Sequence, residues 1–230
     1  QLLKNNTDIG KIPLKLSVEE LEIKYMSKYT KIKEHKIHKN PEAGIINGLW
    51  ANSLGCGGII QIQSLFYPSS SFLELQLTGL QGDVMKESMN VAKSLAWSLT
   101  DNNTKKEWLE YFKETKCQGL HIHCPEGGIS KDGPSAGAAI TTAIYSLLTK
   151  QKIKNDIAIT GEITLNGDVT AIGGLDLKLT YGIKAGVKTF LFPKENSREF
   201  SLWCDKNDIP SDITFIEITS IKNIFSHVFV

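Results

Sequence analysis

His121-Ile122-His123-Cys124-Pro125-Glu126-Gly127-Gly128-Ile129-Ser130-Lys131-Asp132-Gly133-Pro134-Ser135-Ala136-Gly137 is the stretch on which the reading of this chain turns. It reads as a short strand over His121–Cys124, a glycine-rich loop, and the start of a helix. Pro134 has the fixed backbone angle that suits a first helical position. Residues 136–150, rich in Ala, Ile, Leu and Thr with no breaker after Gly137, predict a buried helix. Ser135 then sits in the first turn, where orphan N–H groups and the helix dipole favour a developing negative charge. The plainer alternative is that Ser135 only caps that helix.

A serine at such a place becomes a nucleophile only with a base beside it. Five histidines are present, at 35, 38, 121, 123 and 227, and none stands in an evident triad order with Asp. The other partner known for serine is a neutral lysine. The best placed is Lys178, in Gly173-Gly174-Leu175-Asp176-Leu177-Lys178-Leu179. It falls within the first two turns of a helix predicted from Leu175 to Ala185, closed by Gly186 in a left-handed cap. The dipole there disfavours a cation, and Leu175, Leu177 and Leu179 add apolar bulk, so both effects lower a lysine pKa. A free lysine, of pKa ~10.4, is neutral in roughly one molecule per few thousand at pH 7; lowering it by ~3 units costs about 4 kcal/mol. On spacing alone, a surface lysine on an amphipathic helix is the competing reading.

Working outward, residues 1–40 are polar and Lys-rich. Ser17 with Glu20 fits a capping box opening a helix over about 18–28. Residues 35–41 read as a solvated connector, which also accounts for His35 and His38. From Gly44 the pattern becomes β: Ile45–Trp50, Gly58–Leu65 and Phe72–Thr78, the last two as an antiparallel pair joined through residues 67–71. Val84, Ser88, Val91, Leu95 and Leu99 recur at helical spacing and predict an amphipathic helix over 83–100, with Met85 and Met89 in the core. Glu107–Phe112 suggests one further helical turn. Beyond the Ser135 helix, Asp156–Leu165 reads as a strand. Asn166-Gly167 suits a type I′ turn, and Val169–Ile172 is its partner strand. Lys188–Phe192 (strand), Glu195–Cys204 (helix), Thr214–Thr219 (strand) and Ile221–Phe225 (helix) complete the pattern. Helices alternate with strands and hairpins, so the class is α/β to α+β with a mixed sheet.

Composition narrows the function. At 230 residues the chain is one large domain, or one domain with an appendage. Net charge is +1 and Arg198 is the single arginine, which argues against nucleic acid as a partner. Cys56, Cys117, Cys124 and Cys204 lack C-x-x-C spacing, which points to a reducing compartment rather than a disulfide framework. No apolar run reaches the ~18 residues of a membrane span. No G-x-x-x-x-G-K-[ST] loop is present, so this chain is not expected to bind ATP, and no cofactor is expected in it. The chain opens on Gln1, which suggests a piece cut from something longer.

Several blocks then fall into place together: Pro125-Glu126-Gly127, Lys131-Asp132-Gly133-Pro134-Ser135-Ala136-Gly137, Thr160-Gly161-Glu162-Ile163-Thr164-Leu165, Gly167, and Ile172-Gly173-Gly174-Leu175 with Lys178. In order and spacing they resemble the proteolytic domain of Lon, the ATP-dependent protease. The likeness continues upstream through Gly82-Asp83-Val84-Met85-Lys86-Glu87-Ser88 and downstream through Gly186-Val187-Lys188-Thr189 and Pro193-Lys194-Glu195-Asn196, covering about residues 44–227. It implies a tail of a preceding helical region over 1–40 and a Lon-type proteolytic domain over 41–230, of a fold type resembling the second domain of ribosomal protein S5.

The resemblance implies a serine endopeptidase with a Ser135–Lys178 dyad. Thr160 would hydrogen-bond and orient the lysine without raising its pKa as a carboxylate would. Glu162, two residues along the expected strand, would share its face and lie at a subunit contact or farther from the amine. His123 would support the loop near the site. Its pairing with His121 suggests a metal on spacing alone, but no third ligand is evident and none is expected. Asp132 would be an N-terminal cap and loop brace at the mouth of the site, with gating as a secondary role. The full-length protein would be a homo-hexamer that acts on unfolded polypeptides, in the cytoplasm or a mitochondrial matrix, with ATP and Mg bound only by an ATPase module outside this chain.

Two departures stand out. The family usually has Gly-Leu-Ala-Trp-Thr where this chain has Gly48-Leu49-Trp50-Ala51-Asn52, which unsettles that part of the substrate cleft. Residues 173–177 also lack the charged pair common before the lysine. The rival functions are a catalytically silent binding or assembly domain of the same fold type, and a membrane signal peptidase. The second is disfavoured by the absence of an apolar span.

Overall fold

A computed structural model describes residues 16–28, 36–125 and 132–230. The chain divides into two units, Gln1–Glu34 and His35–Val230. In the first, Ser17 Oγ accepts from Glu20 N and Glu20 Oε2 accepts from Ser17 N, both at 3.1 Å. This capping box opens a short helix α1 (Val18–Glu20) that runs into a π-helical turn, Leu21–Tyr25. None of these helical residues is buried.

The second unit is built on a seven-stranded mixed sheet. Its strands are β1 (Ile45–Ala51), β2 (Gly57–Tyr67), β3 (Leu75–Thr78), β4 (Gly119–His123), β5 (Ile157–Ile159), β8 (Thr189–Pro193) and β9 (Thr214–Ile218). Their order is β3-β4-β2-β1-β5-β8-β9. β6 (Glu162–Ile163) and β7 (Val169–Thr170) form a separate hairpin. The helices are α2 (Asp83–Leu99), α3 (Asn102–Thr115), α4 (Gly137–Thr149), α5 (Leu175–Ala185), α6 (Ser197–Cys204) and α7 (Ile221–Val228). The mixed α/β class read from the sequence therefore holds.

Two apolar clusters lie on opposite faces of the sheet. One gathers Ile46, Ile60, Ile62 and Ile122 with α2, α4 and α7; the other gathers Leu49, Ile59 and Phe190 with α5 and α6. α4 is buried nearly all round. Its threonines fit there because Thr141 and Thr142 donate to Gly137 O and Ala138 O in their own helix, at 2.8 Å each. α5 buries one stripe, Leu175, Leu179, Gly182 and Ala185, at helical spacing. It ends where Gly186 takes φ of 99°, as its sequence predicts.

Elsewhere the structure corrects the sequence reading. β2 and β3 are not partners: β4 lies between them, antiparallel to β2 and parallel to β3. Apolar alternation marks a strand but not its neighbour, and the neighbour comes from far along the chain. The single turn expected at 107–112 is the whole of α3, capped by Asp101 through Asn103 N and Thr104 N. The strand expected over 156–165 ends at Ile159: Thr160 N still makes the ladder bond to Leu191 O of β8, but Gly161 N turns away to Ser135 O.

The β6–β7 turn is not type I′, since Gly167 (φ 87°) has a positive φ and Asn166 does not. Gly167 N bonds Thr164 O and Thr164 N bonds Asp168 O, which is a type I turn followed by a bulge glycine. The connector is also less solvated than expected. Ile37 N donates to Ala185 O, Asn155 Nδ2 reaches His38 O and Lys39 O, and both His38 ring nitrogens are buried. His35 lies outside the described residues.

Candidate active site

Three backbone segments meet at one end of the sheet. The first is the start of the α4 layer. A 3-10 turn, Pro134–Ala136, precedes the α-helix, so Ser135 stands one turn ahead of the helix expected to carry it. The second is the chain leaving β5. Gly161 N donates to Ser135 O at 2.8 Å and Ala138 N donates to Gly161 O at 3.0 Å, which ties the two segments together. The third is the first turn of α5, with Lys178 in its fourth position.

Thr160 joins all three. Its Oγ1 accepts from Lys178 Nζ at 3.1 Å and donates to Ser135 O at 3.3 Å. The amine and the serine carbonyl thus share one oxygen. Among the described residues no hydrogen bond joins Nζ to the Ser135 hydroxyl. Ser135 is half-buried, while Lys178 is 2% exposed and Thr160 is fully buried.

Burial is what sets the state of the amine. It lowers the Lys178 pKa from 10.5 to about 8, while the nearby Glu199 carboxylate pulls the other way. A lysine of pKa 8 is neutral in roughly one molecule in ten at pH 7. A neutral amine donates to Thr160 and keeps a lone pair free to take a proton. The arrangement can therefore supply a weakly basic, buried nitrogen that shares the Thr160 oxygen with the backbone of Ser135.

The other residues singled out in the sequence are more scattered. Asp132 is a cap, but of α2 rather than of the helix it precedes. Its Oδ1 accepts from Met85 N at 3.1 Å and from Gly133 N at 2.9 Å. Gly82, the N-cap residue of α2, has no side chain to do this, and a Cβ there would lie 2.4 Å from Asp132 Cγ. Glu162 opens β6 opposite Thr170, and Thr160 lies past the end of β5, so strand alternation does not put the two on one face. Among the described residues Glu162 makes no contact with Lys178; the carboxylate acting on that amine is Glu199.

His123, at the end of β4, has Nδ1 2.7 Å from Thr78 Oγ1, and His121 Nε2 lies 2.9 Å from the same oxygen. The His-x-His pair thus brackets a hydroxyl of β3. Among the described residues no group of three His, Cys, Asp or Glu side chains converges as a metal site would need.

Sequence reasoning missed the residues that fix the start of α5. Glu195 Oε2 accepts from Ala171 N at 2.7 Å, and Asn196 Oδ1 accepts from Ile172 N at 3.0 Å. Asn196 Nδ2 donates to Ile172 O at 2.8 Å, and Glu199 Oε1 accepts from Leu175 N at 2.8 Å. The signal available was the i, i+4 pairing of Glu195 with Glu199, which places both on one helix face but does not say what that face meets.

Comparison with known proteins adds an independent line. The family described as Lon protease (S16) C-terminal proteolytic domain matches residues 17–230. A Lon protease homolog of Acanthamoeba polyphaga mimivirus is 41% identical over 191 residues, covering 80% of this chain and 18% of its own. The Lon protease of Campylobacter concisus is 39% identical, covering 84% of this chain and 25% of its own. That of Chloroflexus aggregans is 37% identical over 223 residues, covering 94% of this chain and 25% of its own. The chain thus spans a quarter or less of the length of these relatives.

Proposed function

The chain belongs to the Lon protease (S16) C-terminal proteolytic domain family, a serine peptidase family, and from that premise we propose that Ser135 and Lys178 are its catalytic dyad. The observation that carries this reading is the buried amine held by Thr160, whose pKa of about 8 leaves a usable neutral fraction. Ser135 Oγ attacks the carbonyl carbon of a peptide bond while Lys178 Nζ takes the hydroxyl proton. Nζ then returns that proton to the leaving amine, and an ester of Ser135 remains. Water, deprotonated by the same nitrogen, attacks the ester and releases the second product. Backbone N–H groups around the Ser135 turn stabilise the oxyanion. Nucleophile and base need not be in hydrogen-bond contact before substrate arrives, since such contacts tighten in the reacting complex.

An unfolded polypeptide fits as substrate because, among the described residues, part of β1 is unaccompanied on the β5 side. β5 pairs with β1 only at Asn47↔Ala158 and Gly48↔Ile159, whereas β1 runs on to Ala51. The free edge at Leu49–Ala51 can take an extended chain as an added strand. Trp50 lies on the α4 side of the sheet, over Gly58, and Ala51 lies on the α5 side, against Gly174. In the longer protein we place this domain in a homo-hexamer whose ATPase module unfolds substrates and binds the ATP and Mg, acting in a cytoplasm or mitochondrial matrix. Among the described residues no helix is long and apolar enough to cross a membrane.

The test is cleavage of fluorogenic unstructured peptides by the parent, Ser135→Ala and Lys178→Ala, with mass measurement after a serine-reactive inhibitor. The dyad predicts loss of cleavage in both variants and loss of the adduct in Ser135→Ala. Cleavage at the parental rate in both variants refutes it. A parent that neither cleaves nor labels supports a silent binding domain instead.

A further inference from the structure

Helix α5 has no N-cap of its own. Gly174, in the left-handed region at φ 69°, offers no side chain to the orphan N–H groups of the first turn. The cap comes from α6: Glu199 Oε1 accepts a hydrogen bond from Leu175 N at 2.8 Å. Glu199 Oε2 is in turn held at 2.9 Å by Asn196 Nδ2, whose amide also grips Ile172 on both its N–H and its C=O. The carboxylate is therefore fixed at both oxygens, three residues before Lys178 on the helix it caps.

Among the described residues Glu199 is the carboxylate that acts on the lysine. α5 packs on β1, β2 and α6. β1 carries no ionisable side chain, and in β2 the ionisable group is Tyr67, at the strand's far end. α6 brings Arg198, which is exposed, Glu199, and Cys204 at its far end; α5 itself brings Asp176 and Lys184, also exposed, and Tyr181. The segment ahead of α6 contributes Lys194 and Glu195, both exposed.

We infer that Glu199 is a positioning residue for Lys178: its carboxylate, held at both oxygens, anchors the first turn of the helix that carries the amine. Two effects on the amine's charge then oppose each other usefully. Burial drives the lysine towards neutrality, and a fixed anion nearby keeps that drift in check. The carboxylate does not touch the reacting atoms. It acts through the place and the acidity of Nζ.

The kinetic part of this inference rests on the dyad reading, and the experiment separates the two. The pH dependence of kcat/KM on a fluorogenic peptide is compared for the parent, Glu199→Gln, Glu199→Ser and Glu195→Gln. Removing a negative charge from beside an ammonium lowers its pKa, so the ascending limb, near pH 8 in the parent, moves down by roughly half a unit or more in both neutral Glu199 variants. Glu195→Gln removes a neighbouring exposed charge while keeping an oxygen for Ala171 N, and leaves the limb in place. Hydrogen exchange reports the anchoring separately, as faster exchange at Leu175 in Glu199→Ser. Glu199→Ser also provides a second neutral variant should the Gln amide clash with Asn196 and prevent folding. A limb unmoved in the folded Glu199 variants, or moved equally by Glu195→Gln, overturns the inference. The Lys178 titration is also read without turnover, from the pH dependence of stability in each background with and without Lys178→Met. That measurement tests Glu199 even if Ser135→Ala shows the dyad to be wrong.

Discussion

Lys178 Nζ donates to Thr160 Oγ1 at 3.1 Å inside the protein, and among the described residues no carboxylate is hydrogen-bonded to it. Thr160→Val keeps the shape and removes the acceptor, which leaves the buried amine without its hydrogen-bond partner, while the Ser135 carbonyl keeps Gly161 N. The expected result is a fall in kcat of about 10- to 100-fold with little change in KM. A stability loss of about 1–3 kcal/mol accompanies it. Thr160→Ser, which keeps the hydroxyl, recovers most of both. Steady-state kinetics with thermal unfolding of the three proteins checks this.

The lysine's titration has a stability signature of defined sign. Its pKa in the fold, about 8, lies below the 10.5 of an exposed lysine. Between those values the unfolded chain holds a proton that the native state has released, so stability rises with pH across that window. The full rise is on the order of 3 kcal/mol. Below pH 8 the buried ammonium weighs against the fold. Lys178→Met should therefore be the more stable protein near neutral pH and should lack the rise above pH 8, as urea titrations from pH 6 to 10 will show.

Asp132 stabilises α2 from outside that helix. Asp132→Ala removes the acceptor for Met85 N and should cost about 1 kcal/mol. Asp132→Asn, which keeps an oxygen there, should cost less. Chemical denaturation gives the energies, and amide exchange at Met85 locates the loss.

The β6–β7 turn separates two glycine-turn geometries. Gly167→Ala places a Cβ in the left-handed region and 3.0 Å from Ile221 Cγ2, and should destabilise by about 1–2 kcal/mol. Asn166→Ala should be nearly neutral, because Asn166 has no positive φ to maintain. A type I′ turn would make both substitutions costly.

Trp50 should govern which side chains the site accepts. A residue added beside β1 has its Cβ about 4.5–5.5 Å from that of the residue opposite, so a substrate side chain on the α4 side lies against the indole. Trp50→Ala should raise kcat/KM for peptides bearing an aromatic side chain at that place by about tenfold relative to alanine peptides. A peptide library assay reads the ratio directly.

The site was legible in the sequence where local chemistry repeats within a few residues. Gly186 closes α5, Pro134 opens the turn that holds Ser135, and the position of Lys178 early in α5 follows from both ends of that helix. What could not be read depended on contacts between distant segments. β4 takes its place between β2 and β3 because of pairing across the chain, and no alternation in 57–78 encodes that. The chain leaves β5 after Thr160 because Ser135 O, from a distant segment, takes the Gly161 N–H bond. Glu199 reads as an ordinary helical acid until the unclothed start of α5 is seen beside it. The folded site is thus legible as letters, and its supports only as neighbours.

The late arrival of β4 also bears on synthesis. As the nascent chain leaves the ribosome, β2 is complete at Tyr67 but the strand that covers its outer edge begins only at Gly119. Until then Ile59, Ile60 and Ile62 belong to a ribbon with one bare margin, a form that invites pairing with foreign strands. α2 and α3 are made in that interval, and they are amphipathic helices able to shield the exposed apolar face while the missing strand is still being translated. Slowing elongation through residues 100–118 should therefore raise aggregation of the newborn protein without altering the stability of molecules that finish folding.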